Sequence, residues 1–75
     1  MMYPRIRTLR EDGDFKQRDV AAYLNITQGT YSDYETGQIN IPIEAFIRLA
    51  AFYRTSVDYL LGLTDERTPY PLRKR

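Results

Sequence analysis

The side chains that usually carry catalysis are scarce in this sequence of 75 residues. It has no histidine and no cysteine, so the commonest metal ligand, the usual general base and any thiolate or disulfide are missing. The carboxylates Asp12, Asp14 and Asp33 form no evident acid/base constellation, and no glycine-rich phosphate loop accompanies them. We therefore expect no enzyme, and no metal, cofactor or small-molecule site.

Charge is distributed unevenly along the chain, although the formal net charge is only +1. Residues 1–18 carry five basic and three acidic groups, residues 19–66 two basic and seven acidic, and residues 67–75 four basic and none acidic. A total near zero argues against a polyanionic partner, but the segment sums of +2, −5 and +4 place positive charge at both ends. The acidic middle contains the elements predicted below to recognise a partner.

The length and the apolar pattern predict one small domain. No apolar run approaches the roughly 20 residues of a membrane-spanning helix. Arg5, Arg7 and Arg10 lie too near the start for a secretory signal peptide. A cytoplasmic protein is the default expectation.

Turn signals divide residues 4–62 into five apolar-periodic pieces, and strand-like alternation is not sustained anywhere. The pattern predicts an all-α fold. Thr27 and Ser56 are good N-caps, and Glu44 and Arg48 are spaced for an i, i+4 ion pair. The predicted helices are 4–12, 17–24, 28–36, 42–53 and a short fifth between Ser56 and Gly62. Residues 1–64 form the predicted domain, and residues 65–75 form a flexible basic tail.

The second and third helices are separated by roughly three residues, a spacing typical of a helix-turn-helix. Ala21 is small enough to allow close crossing, and Ile26 can anchor the turn. The stretch from residue 17 to residue 37 reads QRDVAAYLNITQGTYSDYETG. It resembles the helix-turn-helix of the phage repressor and Cro (XRE) family. Pro42, Leu49-Ala50 and residues 56–62 extend the likeness, which implies a compact five-helix lambda-repressor-like domain.

The resemblance implies that helix 28–36 enters the major groove of DNA with its N-terminal side chains toward the bases. The implied base-reading residues are Gln28, Gly29, Ser32 and Asp33. Gln28 can donate to and accept from adenine, a contact worth about 1 to 3 kcal/mol of discrimination. A carboxylate at residue 33, where relatives often have a basic or amide side chain, can accept from cytosine N4 but is repelled by phosphates.

The resemblance also implies contacts to the DNA backbone, which position the protein without specifying sequence. The implied phosphate-contacting residues are Gln17, Thr27, Thr30, Gln38 and Asn40. The loop 38–40 is neutral, whereas relatives are frequently rich in Lys and Arg there. We therefore expect phosphate contacts dominated by backbone amides and a shallow dependence on salt.

Glu35 lies near the C-terminal end of its helix, where a negative charge opposes the helix dipole. It needs a cationic or hydrogen-bonding partner. In the resembled family the positions of Arg10 and Glu35 pair across the domain, and we expect this structural ion pair here.

The fourth helix has more apolar residues than one core-facing stripe requires. The resemblance implies a homodimer, with Phe52, Tyr59 and Leu63 as the interface. The sequence thus predicts a double-stranded DNA-binding transcriptional regulator, a repressor that binds an inverted repeat as a homodimer. The alternative is an antitoxin-like interaction module, in which the apolar surface of helices four and five or the tail captures a partner protein.

Overall fold

The computed structural model describes residues 2–69, which form an all-α fold of five helices, as predicted. Residues 70–75, which hold most of the predicted basic tail, lie outside the described residues. The fourth helix begins one residue later than expected because Pro42 is its N-cap, with a ψ of 150° that is not helical. The helices are α1 (Pro4–Asp12), α2 (Gln17–Leu24), α3 (Gln28–Thr36), α4 (Ile43–Tyr53) and α5 (Val57–Leu61).

The core lies between the helices, and each of the five contributes to it. Tyr31 and Tyr34 are buried, and Tyr53 packs against the core, as the helical spacing of these tyrosines predicted. The buried apolar residues are Ile6, Leu9, Val20, Ala21, Leu24, Tyr31, Tyr34, Phe46, Leu49, Ala50 and Leu60. This core keeps α3 against α1 and α2, so that the orientation of α3 is set by packing.

The turn between α2 and α3 is closed by three consecutive residues. Asn25 takes the left-handed conformation, with φ 59° and ψ 44°, and its N–H bonds back to the last turn of α2. The N–H of Ile26 donates to the carbonyl of Ala21 at 3.0 Å. Thr27 is the N-cap of α3, as predicted, because its side chain accepts from the N–H of Thr30. The chain therefore leaves one helix and enters the next within three residues.

Arg48 of α4 fixes the end of α2. Its guanidinium donates to the carbonyl oxygens of Leu24, at 3.2 Å, and Tyr23, and it lies over the Tyr23 ring. The predicted ion pair between Glu44 and Arg48 is therefore wrong. The last carbonyls of a helix lack partners within it and carry its negative dipole end, so they compete successfully for the cation.

The segment after α5 lies against the domain through three hydrogen bonds. The guanidinium of Arg5 donates to the carbonyl of Thr64 and, at 2.7 Å, to the carboxylate of Asp65. The hydroxyl of Thr55 donates to the carbonyl of Arg67 at 2.7 Å. The first residues of the predicted tail are thus bonded to the helices.

The left-handed conformation of Asn25 gives a stability prediction. Asn25→Ala should lower the free energy of unfolding by about 1 kcal/mol, because a Cβ without a local polar group disfavours this conformation. Asn25→Gly should stay within about 0.5 kcal/mol of the unchanged chain. Urea unfolding followed by circular dichroism measures both. Equal stability of the two variants would show that the turn does not require this conformation.

Candidate nucleic-acid interface

The third helix turns one side to the core and the other to solvent. Tyr31, Tyr34 and Glu35 form its buried side. The accessible side carries the four predicted base-reading residues, of which Gln28 and Gly29 are exposed and Ser32 and Asp33 are half-buried one turn further on. The structure thus brings an amide, a hydroxyl and a carboxylate together on one accessible helix face.

The hydroxyls at the start of α3 are already engaged within the protein. Thr27 Oγ1 accepts from the N–H of Thr30 at 3.1 Å and donates to Thr30 Oγ1 at 2.9 Å. The first N–H groups of a helix have no partner within it, and they carry the positive end of its dipole. At this end of α3 the backbone N–H groups of Gln28 and Gly29 are therefore the groups suited to an anion.

Gly29 is not required by the protein's own packing. A Cβ added there would meet no heavy atom within 4 Å, and the residue is not among those with positive φ. Glycine in a helix interior is less stable than alanine by about 1 kcal/mol, which is an upper limit for Gly29, the second residue of α3. The missing side chain leaves the backbone beside Gln28 open to close approach from outside.

Behind this face, Arg10 and Glu35 form the ion pair expected from the resemblance. Arg10 Nε lies 2.7 Å from Glu35 Oε2, and Nη2 lies 3.1 Å from Oε1, so the contact is bidentate. The side chains are 13% and 4% exposed. Arg10 Nη1 also donates to the carbonyl of Phe15 at 3.0 Å. One guanidinium on α1 therefore joins α3 to the segment that leads into α2.

Gln17 has a role that the sequence did not reveal. Its Nε2 donates to Glu35 Oε1 at 3.2 Å, so the amide predicted to contact phosphate supports the carboxylate of the ion pair. Lys16 and Arg18, the exposed cations on either side of Gln17, were not predicted as site residues. Their position on either side of Gln17, a predicted phosphate contact, is the only signal in the sequence that could have indicated these two cations as site residues.

The ion pair sets the protonation state of its surroundings. Burial by itself raises the pKa of Glu35. Hydrogen bonds from neighbours that include Arg10 and Gln17, together with the charge of Arg10, outweigh burial and hold this pKa below its ordinary value of 4.5. Burial and the nearby Glu35 charge raise the pKa of Tyr53 to about 12, and burial followed by contact with Glu35 raises the pKa of Tyr31. Both hydroxyls are buried without a hydrogen bond of good geometry. They remain neutral at pH 7, so Glu35 carries the only negative charge of this cluster.

The loop that follows α3 adds no charge to the interface. Gln38 and Asn40 are exposed, as a phosphate contact requires, and both are neutral. Asp33 forms no ion pair within residues 2–69. The accessible face of α3 and its loop is thus polar, hydrogen-bonding and slightly acidic.

Among residues 2–69 there is no group of three or more acidic side chains arranged to hold a metal ion. No helix within that range is long and apolar enough to cross a membrane.

Known proteins resemble this chain in sequence and in fold. A helix-turn-helix family model matches residues 6–60. The chain is 35% identical over 74 residues to YobD of Bacillus subtilis (strain 168), an uncharacterised HTH-type transcriptional regulator, covering 99% of this chain and 66% of YobD. It is 28% identical over 75 residues to RstR of Vibrio cholerae, the cryptic phage CTXphi transcriptional repressor, covering 100% of this chain and 68% of RstR. A crystal structure of a transcriptional regulator from Listeria innocua matches with a TM-score of 0.75 and 29% identity, over 87% of this chain and 62% of that one.

The chain therefore belongs to the helix-turn-helix family, and its resemblance to the XRE type is confirmed. The matched relatives are named as transcriptional regulators, which agrees with the sequence-based expectation that the chain is not an enzyme. It spans 66% of the length of YobD and 62% of that of the Listeria regulator.

The buried ion pair predicts a stability change with a defined pH dependence. Glu35→Gln should lower the free energy of unfolding by about 3 kcal/mol at pH 7, because it leaves the Arg10 charge buried without its partner. A carboxylate with a depressed pKa stabilises the folded state above its ordinary pKa, and this stabilisation is lost as pH falls through the folded-state pKa. The difference between the two proteins should therefore shrink below about pH 4.5.

Urea unfolding at a series of pH values measures this difference. Glu11→Gln is the matched control, because Glu11 pairs with Arg7 on the exposed surface of α1 and should contribute less than about 1 kcal/mol. A Glu35→Gln variant as stable as this control would contradict the role assigned to the pair.

Proposed function

We propose that the protein is a sequence-specific double-stranded DNA-binding transcriptional regulator that reads the major groove with α3. In this proposal it acts as a repressor and binds an inverted repeat as a homodimer, with half-sites about 34 to 36 Å apart. Gln28 is the principal base reader, and Ser32 and Asp33 contact the next bases along the groove.

Gly29 is the single observation that carries this proposal. Its place on the helix is unfavourable for stability, and no atom of the protein crowds it. A partner that approaches the backbone of α3 closely would account for it. The edge of a base pair next to the Gln28 amide fits that requirement, since Gln binds adenine through N6 and N7 in one plane.

The charges of this face support recognition by hydrogen bonds more than by bulk attraction. Gln38 and Asn40 add no cation, and Asp33 accepts from cytosine N4 in this scheme. Phosphates are held by the N–H groups at the start of α3 and by Lys16 and Arg18. With so few cations, the affinity should depend weakly on salt.

The relatives support the class of function and the choice of repression. RstR is named as a transcriptional repressor, and YobD as an HTH-type transcriptional regulator. A lone helix of 9 residues in one groove is a small footprint. A dimer on a two-fold repeat doubles it.

A second candidate function rests on a different surface. Ile43 and Ile47 of α4 are 62% and 55% exposed. Exposed apolar groups of this kind mark interaction sites, and in an antitoxin-like module they would capture another protein. Stoichiometric recovery of one partner protein from the source cell, together with no enrichment of a DNA sequence, would favour this second function.

Selection of bound duplexes from random DNA tests the first function. The selected sequences should contain an inverted repeat, at both low and moderate salt. Gln28→Ala should weaken binding of the selected duplex by about 1 to 3 kcal/mol and relax the preference at one base pair of each half-site. Thr8→Ala, on the exposed surface of α1, is the control and should leave the preference unchanged. An unaltered preference in Gln28→Ala would refute the role of this residue.

Gly29→Ala should change stability and binding in opposite directions. The variant should unfold at higher urea concentration, by up to about 1 kcal/mol, because alanine favours the helix and nothing crowds its Cβ. Its affinity for the selected duplex should fall at least tenfold, because the methyl group holds the backbone away from the bases. Fluorescence anisotropy with a labelled duplex measures the affinity. Stabilisation with undiminished affinity would contradict a close approach at Gly29.

A further inference from the structure

The outward side of α4 is an apolar stripe that residues 2–69 leave uncovered. Ile43, Ile47 and Ala51 follow one another at intervals of four residues, so they share one helix face, and all three are exposed. Beside Ile47 and Ala51 a shallow groove of about 580 Å³ runs between α4 and the start of α5, with Val57 on its far side. One surface of α4 therefore carries a large side chain, Ile47, and a small one, Ala51, beside the groove.

The residues predicted from sequence for the homodimer do not form this surface. Phe52 lies five positions after Ile47, about 140° around the helix, and packs against Phe15 and Tyr23 with ring centroids 4.9 and 4.6 Å away. The ring of Tyr59 is covered by the Arg5 guanidinium at 4.1 Å. Of the predicted three, only Leu63 is widely exposed, at 72%. Ile43 and Ile47 are the two large exposed apolar residues that share one helix face.

Two exposed charges border the stripe. Glu44 is five residues before Leu49 and Arg54 is five residues after it, at opposite ends of α4. Within residues 2–69 neither side chain has an ion pair or a hydrogen bond. A surface with a free anion at one end and a free cation at the other is complementary to itself when two copies run antiparallel.

We infer that α4 pairs with α4 of a second copy of this chain, antiparallel and centred on the level of Leu49. Glu44 of each copy then lies level with Arg54 of the other. Ile47, two residues before Leu49, lies level with Ala51 of the other copy, two residues after it, so the large side chain meets the small one beside the groove. The same register therefore pairs opposite charges, Glu44 with Arg54, and a large side chain with a small one, Ile47 with Ala51.

This inference rests on the proposed function, because it identifies the surface through which the proposed homodimer forms. The helix has 11 residues. A contact of this length buries less than the roughly 1,200 Å² of standard protein interfaces, which places the dimer in the weak, transient class. Two half-sites on DNA would favour it by holding two copies together.

Sedimentation equilibrium at concentrations up to about 1 mM tests the pairing, because a weak dimer is populated there. Ile47→Lys should raise the dissociation constant at least tenfold, because it places a cation in the centre of the apolar contact. Leu63→Lys is the matched control, since it changes a more exposed apolar residue of the sequence-predicted interface to the same cation. It should change the constant less than about twofold. Circular dichroism checks that both variants remain folded.

Charge reversal tests the antiparallel register. Glu44→Arg and Arg54→Glu should each weaken the dimer several-fold, because each places like charges at both ends of the contact. The double variant should recover the original dissociation constant within about threefold, because the reversed charges again meet across the two-fold axis. A double variant that remains as weak as the single variants would overturn the register. A monomeric unchanged chain, or an Ile47→Lys variant that dimerises normally, would overturn the inference as a whole.

Binding to one half-site separates this inference from the proposed function. Ile47→Lys should bind a duplex with a single half-site as tightly as the unchanged chain does, and should lose the advantage of the full inverted repeat. A chain that binds the selected half-site but never dimerises through α4 contradicts only the inference. A chain that dimerises as described but selects no sequence contradicts only the proposed function.

Discussion

The buried ion pair between Arg10 and Glu35 is the contact on which the arrangement of the helices depends. Glu35 lies at the end of α3 where the helix dipole is unfavourable for an anion. It is tolerated because Arg10 from α1 and Gln17 from α2 both donate to its carboxylate. A single carboxylate thus receives hydrogen bonds from two other helices, and these bonds fix how α3 lies against them. Together with the packing of Tyr31 and Tyr34 in the core, these bonds give the outward face of α3 a defined direction.

The outward face of α3 carries no cation. It has hydrogen-bonding groups, an uncrowded glycine and a carboxylate, and the neutral loop after it adds no cation. A protein of this kind would gain little from attraction to phosphates and much from correct base contacts, so binding and specificity would be closely linked. The near-neutral net charge of the chain is then compatible with DNA as a partner.

Local rules predicted most helix boundaries, because these carry signals of residue type: Asn25 and Gly37 suit the left-handed conformation, and Thr27 and Ser56 are N-caps. The predicted start of α4 is one residue too early, because Pro42 is its N-cap. Long-range polar contacts were harder. Arg48 donates to the last carbonyls of α2 because the fold brings these unpaired groups close to it. The i, i+4 spacing of Glu44 and Arg48 could not indicate this long-range contact. Gln17 likewise turns inward because Glu35 is close in space. The excess of apolar residues on α4 was visible in the sequence, but which of them remain exposed depends on where α2 and α5 pack.

We propose that the exposed face of α3, held in place by the core and by the Arg10 and Glu35 pair, is the surface that reads DNA. Titration of the isotopically labelled protein with its selected duplex, followed by amide NMR shifts, tests this most directly. We expect smaller shift changes at residues 16–18 and 38–40 and the largest ones at Gln28, Gly29, Ser32 and Asp33. Saturable shift changes confined to another surface, with α3 unaffected, would contradict it.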